Sequence, residues 1–420
     1  MTRAPRRAPL ATCAALVLTC SAGVAGADEG APGAGRTEVG GIPVVAYDSD
    51  RGLLLGALVN VARLEPDAAP FAYRLELLVT ASFKQAGGEV EVPLHDDSVT
   101  VDVPGLLGGL LRVVARVGFQ SFRDAGWYGP GGDSVEDTSI DRFHAYERVY
   151  PGAAVNTRWR LARSLELLVG AQVEASRVTA EPGSLLARQI AIADEGTGAD
   201  AAVLADVLRG TDTHVLGKLR VGLLRDTRDD EFQPTRGTLV ELAARTAPVP
   251  WSLRHVGLFA SAAGFVPIAG GRLVVGGRVF ADALVGRPPF YALAEAGVST
   301  PVETSGGAST VRGVALQRFA GKIKLVANAE LRAEIGRFRL GKQRLRIGAL
   351  GFLDAARTRA DWHDVTLDGR DVDGPWTRIA IGVGVGARAA WGETLVIRVD
   401  AGVSPTEETT GLYIGVGHVF

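Results

Sequence analysis

The chain has 420 residues, with 45 Lys plus Arg against 47 Asp plus Glu and a net charge of −2. That balance, with a pI near 6.3, carries no polycationic footprint and argues against nucleic acid as a partner. The only Cys are Cys13 and Cys20, and the only Met is Met1.

Residues 1–27 read as a removable signal peptide. Arg3, Arg6 and Arg7 form a basic start, Leu10 to Val17 a short apolar core, and Ala25-Gly26-Ala27 an A-x-A cleavage site. Cleavage there leaves 28–420, takes the net charge from −2 to −5, and removes both Cys and the Met. Disulfides, thiolate metal sites and Cys nucleophiles are thereby excluded from the exported chain. Beyond the signal no apolar run reaches about 18 residues, so no transmembrane helix is expected.

Period-two alternation dominates the remainder of the chain. Strands are predicted near 52–62, 73–83, 96–103, 110–120, 142–149, 153–160, 166–176, 214–225, 237–246, 253–266, 272–283, 325–335, 344–354, 378–389, 395–403 and 412–420. In 327–335, Ala327, Ala329, Leu331, Ala333 and Ile335 oppose Asn328, Glu330, Arg332 and Glu334. In 112–119, Val113, Ala115, Val117 and Phe119 oppose Arg112, Val114, Arg116 and Gly118. Alternation alone fits a soluble sandwich or a membrane barrel. The count of about sixteen is even, as single-chain outer-membrane barrels require. A final strand with Leu412, Ile414, Val416, His418 and Phe420 on one parity suits lipid better than water. The expected fold is therefore an all-β, transmembrane antiparallel barrel of about sixteen strands. It would close the last strand onto a first strand near Gly52 and so remove both open edges.

Three passages carry a family resemblance. LRDTRDDEFQPTRGTLVEL contains Asp226, Arg228, Asp229, Pro234 and Gly237 in a DxRD then PxxG arrangement. STVRGVALQRFAGKIKLVANAELRAEI contains Val311-Arg312-Gly313 followed by Asn328, Glu330 and Arg332. The third is Phe352-Leu353-Asp354, followed by a tail holding Asp400, Gly402 and Phe420. Together they resemble the BamA/TamA superfamily of outer-membrane assembly and translocation barrels, also called bacterial surface antigens. The resemblance implies a loop between strands 11 and 12 that folds into the lumen, where Arg312 and Gly313 meet Glu330 and Asp354. The bland reading leaves each of those charges solvated in a wet lumen. The resemblance also implies a C-terminal assembly signal in Leu412, Ile414, Val416 and Phe420. For Asp226, Arg228, Asp229, Pro234 and Gly237 a structural periplasmic turn is the simpler reading, with partner contact as its rival.

Other chemistry is not expected. Gly382, Gly384 and Gly386 alternate within a strand and precede no phosphate-binding helix. The six His, at 95, 144, 214, 255, 363 and 418, have no ligand spacing, so no metal, cofactor or enzymatic site is expected. Family members that insert or secrete proteins usually carry periplasmic POTRA domains ahead of the barrel. Here 28–40 is too short for one, so 28–420 is expected to be barrel alone. Outer-membrane localisation is expected, with membrane lipid, unfolded outer-membrane or secreted clients, and a separate periplasmic protein as partners. Three functions stand at this point: insertion or translocation of proteins through a seam between the first and last strands, a passive or plugged pore, and an envelope scaffold.

Overall fold

The computed structural model describes residues 35–420 except 66–67, 87, 135–139, 141, 299–301, 304–305, 341–342 and 392–394. The signal-peptide reading of 1–27 lies outside the described residues. Sixteen antiparallel strands form one closed sheet. They are β1 Arg36–Asp48, β2 Gly52–Glu65, β3 Ala68–Ala86, β4 Leu94–Gly105 and β5 Leu111–Gly126. Then come β6 in two parts, Ala145–Val149 and Gly152–Ala162, β7 Leu165–Ala180, β8 His214–Asp226, β9 Gly237–Val249 and β10 His255–Ile268. The last are β11 Leu273–Gly286, β12 Ile323–Leu340, β13 Gln343–Arg359, β14 Ala380–Trp391, β15 Leu395–Ser404 and β16 Thr409–Val416. Each pairs with its neighbour in sequence, and β1 meets β16 to close the ring.

Polarity is inverted across the wall. On β12, Leu325, Leu331 and Ile335 are exposed at 49%, 49% and 69%, while Lys324, Asn328 and Glu330 are 0%, 4% and 2% exposed. On β8, Val215, Leu219, Val221 and Leu223 face outward, and Leu216 and Leu224 are buried inside. A water-soluble sheet cannot turn aliphatic side chains out and bury Lys and Glu, whereas a lipid-facing wall around a polar lumen must. This decides between sandwich and membrane barrel. Among the described residues no helix is long and apolar enough to cross a membrane.

The longest loops, 181–213, 287–322 and 360–379, all lie at one end, the extracellular one by this architecture. Loop 181–213 forms two helices, α1 Leu185–Glu195 and α2 Ala199–Val207. The Ser184 hydroxyl caps α1 by accepting from the Ala187 N–H at 3.2 Å. Leu186, Leu204 and Leu208 bury their side chains with Trp127, Tyr146, Phe290 and Tyr291, filling the extracellular end of the lumen.

Two strand assignments are corrected, and their errors cancel in the count. The predicted 142–149 and 153–160 are one crossing, because both parts of β6 pair with β5 and β7. The Tyr150-Pro151 break reads as a turn, yet Tyr150 N–H donates to Gln120 O and Pro151 O accepts from Ala175 N–H, so the wall continues through it. The closing strand is Arg36–Asp48, not the strand holding Gly52 and Gly56, which is β2. Gly40, Gly41 and Pro43 punctuate this segment like a loop, but Pro is tolerated on an edge strand.

Candidate functional site

The long loop 287–322 joins β11 to β12 and folds into the lumen, as expected between strands 11 and 12. At its tip the Arg312 guanidinium is fully buried. Nε and Nη2 donate to Oδ2 and Oδ1 of Asp354 at 2.8 and 3.0 Å, and Nη1 donates to Glu330 Oε1 at 2.9 Å. A longer 3.5 Å contact joins Nη1 to Asp400 Oδ2, and the Arg312 N–H also donates to Asp354 at 3.1 Å. The guanidinium plane lies 3.5 Å over the Phe352 ring. Such a planar, bidentate and stacked arrangement belongs to Arg and not Lys. Asn328 Nδ2 completes the cluster by donating to Asp354 Oδ1 at 2.8 Å. Beneath the tip, Val311, Val314 and Phe319 pack with Phe259, Phe280 and Val326.

The wall opposite Arg312 is built of glycine, which gives the alternating Gly of β14 a physical reason. A Cβ at Gly382 would stand 2.2 Å from Arg312 O, and one at Gly402 would stand 2.8 Å from the same atom. Gly313 itself has φ +98°, and a Cβ there would lie 2.8 Å from the Val403 carbonyl carbon. Bare wall therefore admits bare loop. The same stretch leaves a concavity of about 600 Å³, lined by Val383, Val385, Ala401, Val403 and Leu412 among others.

Sequence spacing did not reveal how the loop grips the closing strands. Gly313 N–H donates to the Tyr413 hydroxyl at 3.1 Å, and Thr409 Oγ1 donates to Gly313 O at 2.6 Å, so the tip is tied to β16. On the other side the loop meets Asp50, in the β1–β2 turn, where the Leu316 backbone favours the charged form of the carboxyl. Asp400 was legible as a lumen-facing acid on β15 but not as a neighbour of Arg312; only the ring topology brings β12, β13 and β15 to one point.

Asp50 is held as an acid. Burial, and then the adjacent Asp48 carboxylate, push its pKa up to about 8 from 3.8, and Oδ2 is buried without a hydrogen-bond partner. An acid whose folded pKa is raised stabilises least when ionised. The turn's contribution is thus greatest below about pH 4 and declines as pH rises through 8. Asp50→Asn is expected to unfold at a higher temperature than the parent, with a gap that widens from pH 5 to pH 9. Heat-modifiable gel migration measured across that range checks it.

The seam itself is short. β1 pairs with β2 along its whole length, from Arg36↔Leu64 to Asp48↔Gly52, but with β16 only through Tyr47↔Ile414 and Asp48↔Tyr413. One further bond, Ser49 N–H to Leu412 O at 3.2 Å, lies above them. Among the described residues, 36–46 of β1 have no paired strand on that side.

The expected final strand at 412–420, with Phe420 and His418 facing lipid, needs correction. Leu412, Ile414 and Val416 keep the outward parity of β16, but the strand ends at Val416. Gly417, at φ +85°, turns the chain, and its N–H donates to Val396 O at 2.7 Å. Phe420 then lies inside the barrel, its ring stacked on Phe265 at 6.0 Å, not facing lipid. His418 leaves the lipid-facing parity with it. Parity counting cannot register a single positive φ.

At the periplasmic end, turn 227–236 spends its polar groups on itself. Arg228 clamps Asp226 through Nε and Nη2 at 3.0 and 2.8 Å. Asp229 accepts from the Thr235 N–H and hydroxyl and from the Arg236 N–H. Those bonds outweigh partial burial and hold the Asp229 carboxyl below its usual range. Gly237, at φ +100°, would place a Cβ 2.3 Å from Thr227 O, and Pro234 is buried beside it.

This barrel resembles solved structures at low identity. BamA from Haemophilus ducreyi lacking POTRA domains 1-3 matches with TM-score 0.57 and 12% identity, over 91% of this chain and 70% of that one. CdiB from Escherichia coli matches with TM-score 0.53 and 14% identity, over 90% of this chain and 63% of that one, so the chain spans less than two thirds of CdiB. Both likenesses speak for the fold. No curated protein matches. The Omp85 superfamily domain matches residues 114–420, which takes in the periplasmic turn, the inward loop with Arg312 and the last strand, and on that match the chain belongs to the Omp85 superfamily of outer-membrane barrels.

Proposed function

We propose that this barrel assists insertion or translocation of proteins at the outer membrane by opening between β1 and β16 and offering the free edge of β1 to a client strand. The observation that carries this reading is the asymmetry of the seam, with two residue pairs near the extracellular end and an unpaired β1 edge over 36–46. Unpaired backbone at membrane depth is costly, so that edge favours any segment able to complete its ladder, which is β-augmentation. Arg312, Gly313, Glu330 and Asp354 serve as the lock that holds the inward loop. The loop in turn ties β16 through Tyr413 and Thr409, and lies against the β1–β2 turn at Asp50. The extracellular end is pinned and the periplasmic end is free, so opening hinges at the pinned end. The aromatic cluster under α1 and α2 fills the extracellular end of the lumen, which supports this reading over a passive pore. Clients are unfolded outer-membrane or secreted proteins, delivered by a separate periplasmic protein.

Residues 28–420 carrying Tyr47→Cys and Ile414→Cys, reconstituted in liposomes, test this. Insertion of an unfolded client barrel is expected with the pair reduced, to be lost on oxidation, and to return with reductant. Insertion indifferent to the crosslink overturns the seam, and ion conductance without insertion favours the pore.

A further inference from the structure

Between the base of the inward loop and the wall of β7 to β10 lies a cavity of about 50 Å³, lined by Lys218, Arg220, Arg245, Glu295 and Val298 among others. At about 10–15 Å³ per water, that is room for roughly four waters, or for one compact polyatomic ion in their place. The register of the wall crowds positive charge around it. Arg220 of β8 stands directly opposite Arg245 of β9, and Lys218 precedes Arg220 by two residues on the same face. Like charges facing each other across a ladder destabilise it unless a counter-charge is supplied.

The neighbouring acids supply only part of that counter-charge. Asp282 accepts from Arg245 Nη1 and Nη2 at 2.6 and 2.9 Å, and lies 3.2 Å from Lys324 Nζ. Glu174 accepts from Arg148 at 2.8 Å, from Lys218 at 3.1 Å and from the Gln172 amide at 2.9 Å. Glu295 accepts from Arg148 at 2.9 Å. Arg220 is left with neutral acceptors, Gln172 Oε1 and, at 3.1 Å, Val298 O, and pairs with no carboxylate among the described residues. Around the cavity five cations, Arg148, Lys218, Arg220, Arg245 and Lys324, thus meet three described carboxylates, which leaves two positive charges unmatched.

We propose that Lys218, Arg220 and Arg245 form a lumenal binding site for one inorganic oxyanion of the sulfate or hydrogen phosphate class. A doubly charged tetrahedral ion matches the excess, and its oxygens accept charge-assisted hydrogen bonds from the guanidinium groups. Arg220 and Arg245 also donate to the loop base, at Val298 O and, at 3.3 Å, Gly297 O. The bound ion therefore fastens the loop to β8 and β9, and docking of the loop depends on the anion as well as on Arg312. The site faces the lumen and not the acyl chains, so the ion comes from solution and not from a lipid headgroup.

Equilibrium dialysis of residues 28–420 in a phosphate-free maltoside detergent, against radiolabelled sulfate at an ionic strength held constant with chloride, tests this. One sulfate per barrel is expected, displaced by inorganic phosphate and left in place by phospholipid added to the micelles. Saturating sulfate is expected to raise the temperature of heat-modifiable migration and to slow proteolysis of 287–322 several-fold relative to chloride. Arg220→Met is expected to abolish binding and both responses, yet to melt in chloride no lower than the parent, because it removes the unmatched cation and keeps the apolar stem. An Arg220 needed only for structure would lower the melting temperature in chloride as well. Lys218→Met leaves Glu174 on Arg148 and Gln172, and is expected to weaken binding at least about tenfold. Arg116→Gln, which removes the partner of Asp96, should bind as the parent does. No saturable sulfate or phosphate binding by the parent, or binding unchanged in both Arg220→Met and Lys218→Met, overturns the proposal. Neither readout involves the seam or a client, so the result stands apart from the insertion experiment.

Discussion

Arg312→Ala is expected to destabilise the docked loop by about 3–5 kcal/mol, because it removes the shared cation from the buried carboxylates of Glu330, Asp354 and Asp400. Some of that charge is met by neighbours. Arg332 remains on Glu330 and Arg388 on Asp400, whereas Asp354 keeps only neutral donors, the Asn328 amide and the residue 312 backbone N–H, and no cation from this cluster. The loss therefore concentrates at Asp354. Arg312→Lys is expected to recover only part of it, since one ammonium cannot span both oxygens of Asp354 while reaching Glu330 and stacking on Phe352. Arg312→Glu is expected to be worse than Arg312→Ala, and to regain some assembly when Asp354 or Glu330 is changed to Arg alongside it. Assembly into membranes, read by heat-modifiable migration and by protease sensitivity of 287–322, measures each of these. Normal assembly and function of Arg312→Ala would remove the lock from the mechanism.

The second large effect is steric. Gly382→Val is expected to expel the loop tip while leaving every charge of the cluster in place, because its Cβ would overlap Arg312 O at 2.2 Å with backbone on both sides of the clash. Overpacking costs about 1–3 kcal/mol where side chains can yield, and here neither the strand nor the Arg312 carbonyl is a flexible end. Protease cleavage within 287–322 should rise to the level seen for Arg312→Ala. Gly351→Ala serves as the control: it is also a barrel glycine, but the nearest atom to its Cβ would be 4.0 Å away, and it should behave as the parent. Agreement between a charge deletion and a pure bulk insertion would separate docking of the loop from electrostatics in general.

Period two exposed most of the wall because a lipid-facing barrel uses every second residue for the same purpose, as Leu325, Leu331 and Ile335 do against Lys324, Asn328 and Glu330. It failed where local chemistry and tertiary role diverge. The predicted strands begin near 52 and pass over 36–48, where Gly40, Gly41 and Pro43 interrupt the alternation, yet an edge with no partner across the seam asks nothing of Pro43's missing donor. Tyr150-Pro151 reads as a hairpin because only the flanking strands supply its bonds. The family motifs drew attention to Arg312, Glu330 and Asp354. The attachment of the loop to Tyr413, Thr409 and Asp50 depends on closure of a ring, which no spacing along the chain encodes.

The hollow of about 600 Å³ beside the glycine wall has a consequence for the surrounding solvent. Val383, Val385 and Leu412 leave room there that protein atoms do not fill, so hydrocarbon chains must. Chains able to order into that recess stabilise the sheet next to the seam, and chains that cannot leave it short of dispersion contacts. The amphiphile is thereby a packing component of this end of the barrel, and its melting behaviour is set jointly by sequence and by the length and saturation of the acyl tails around it.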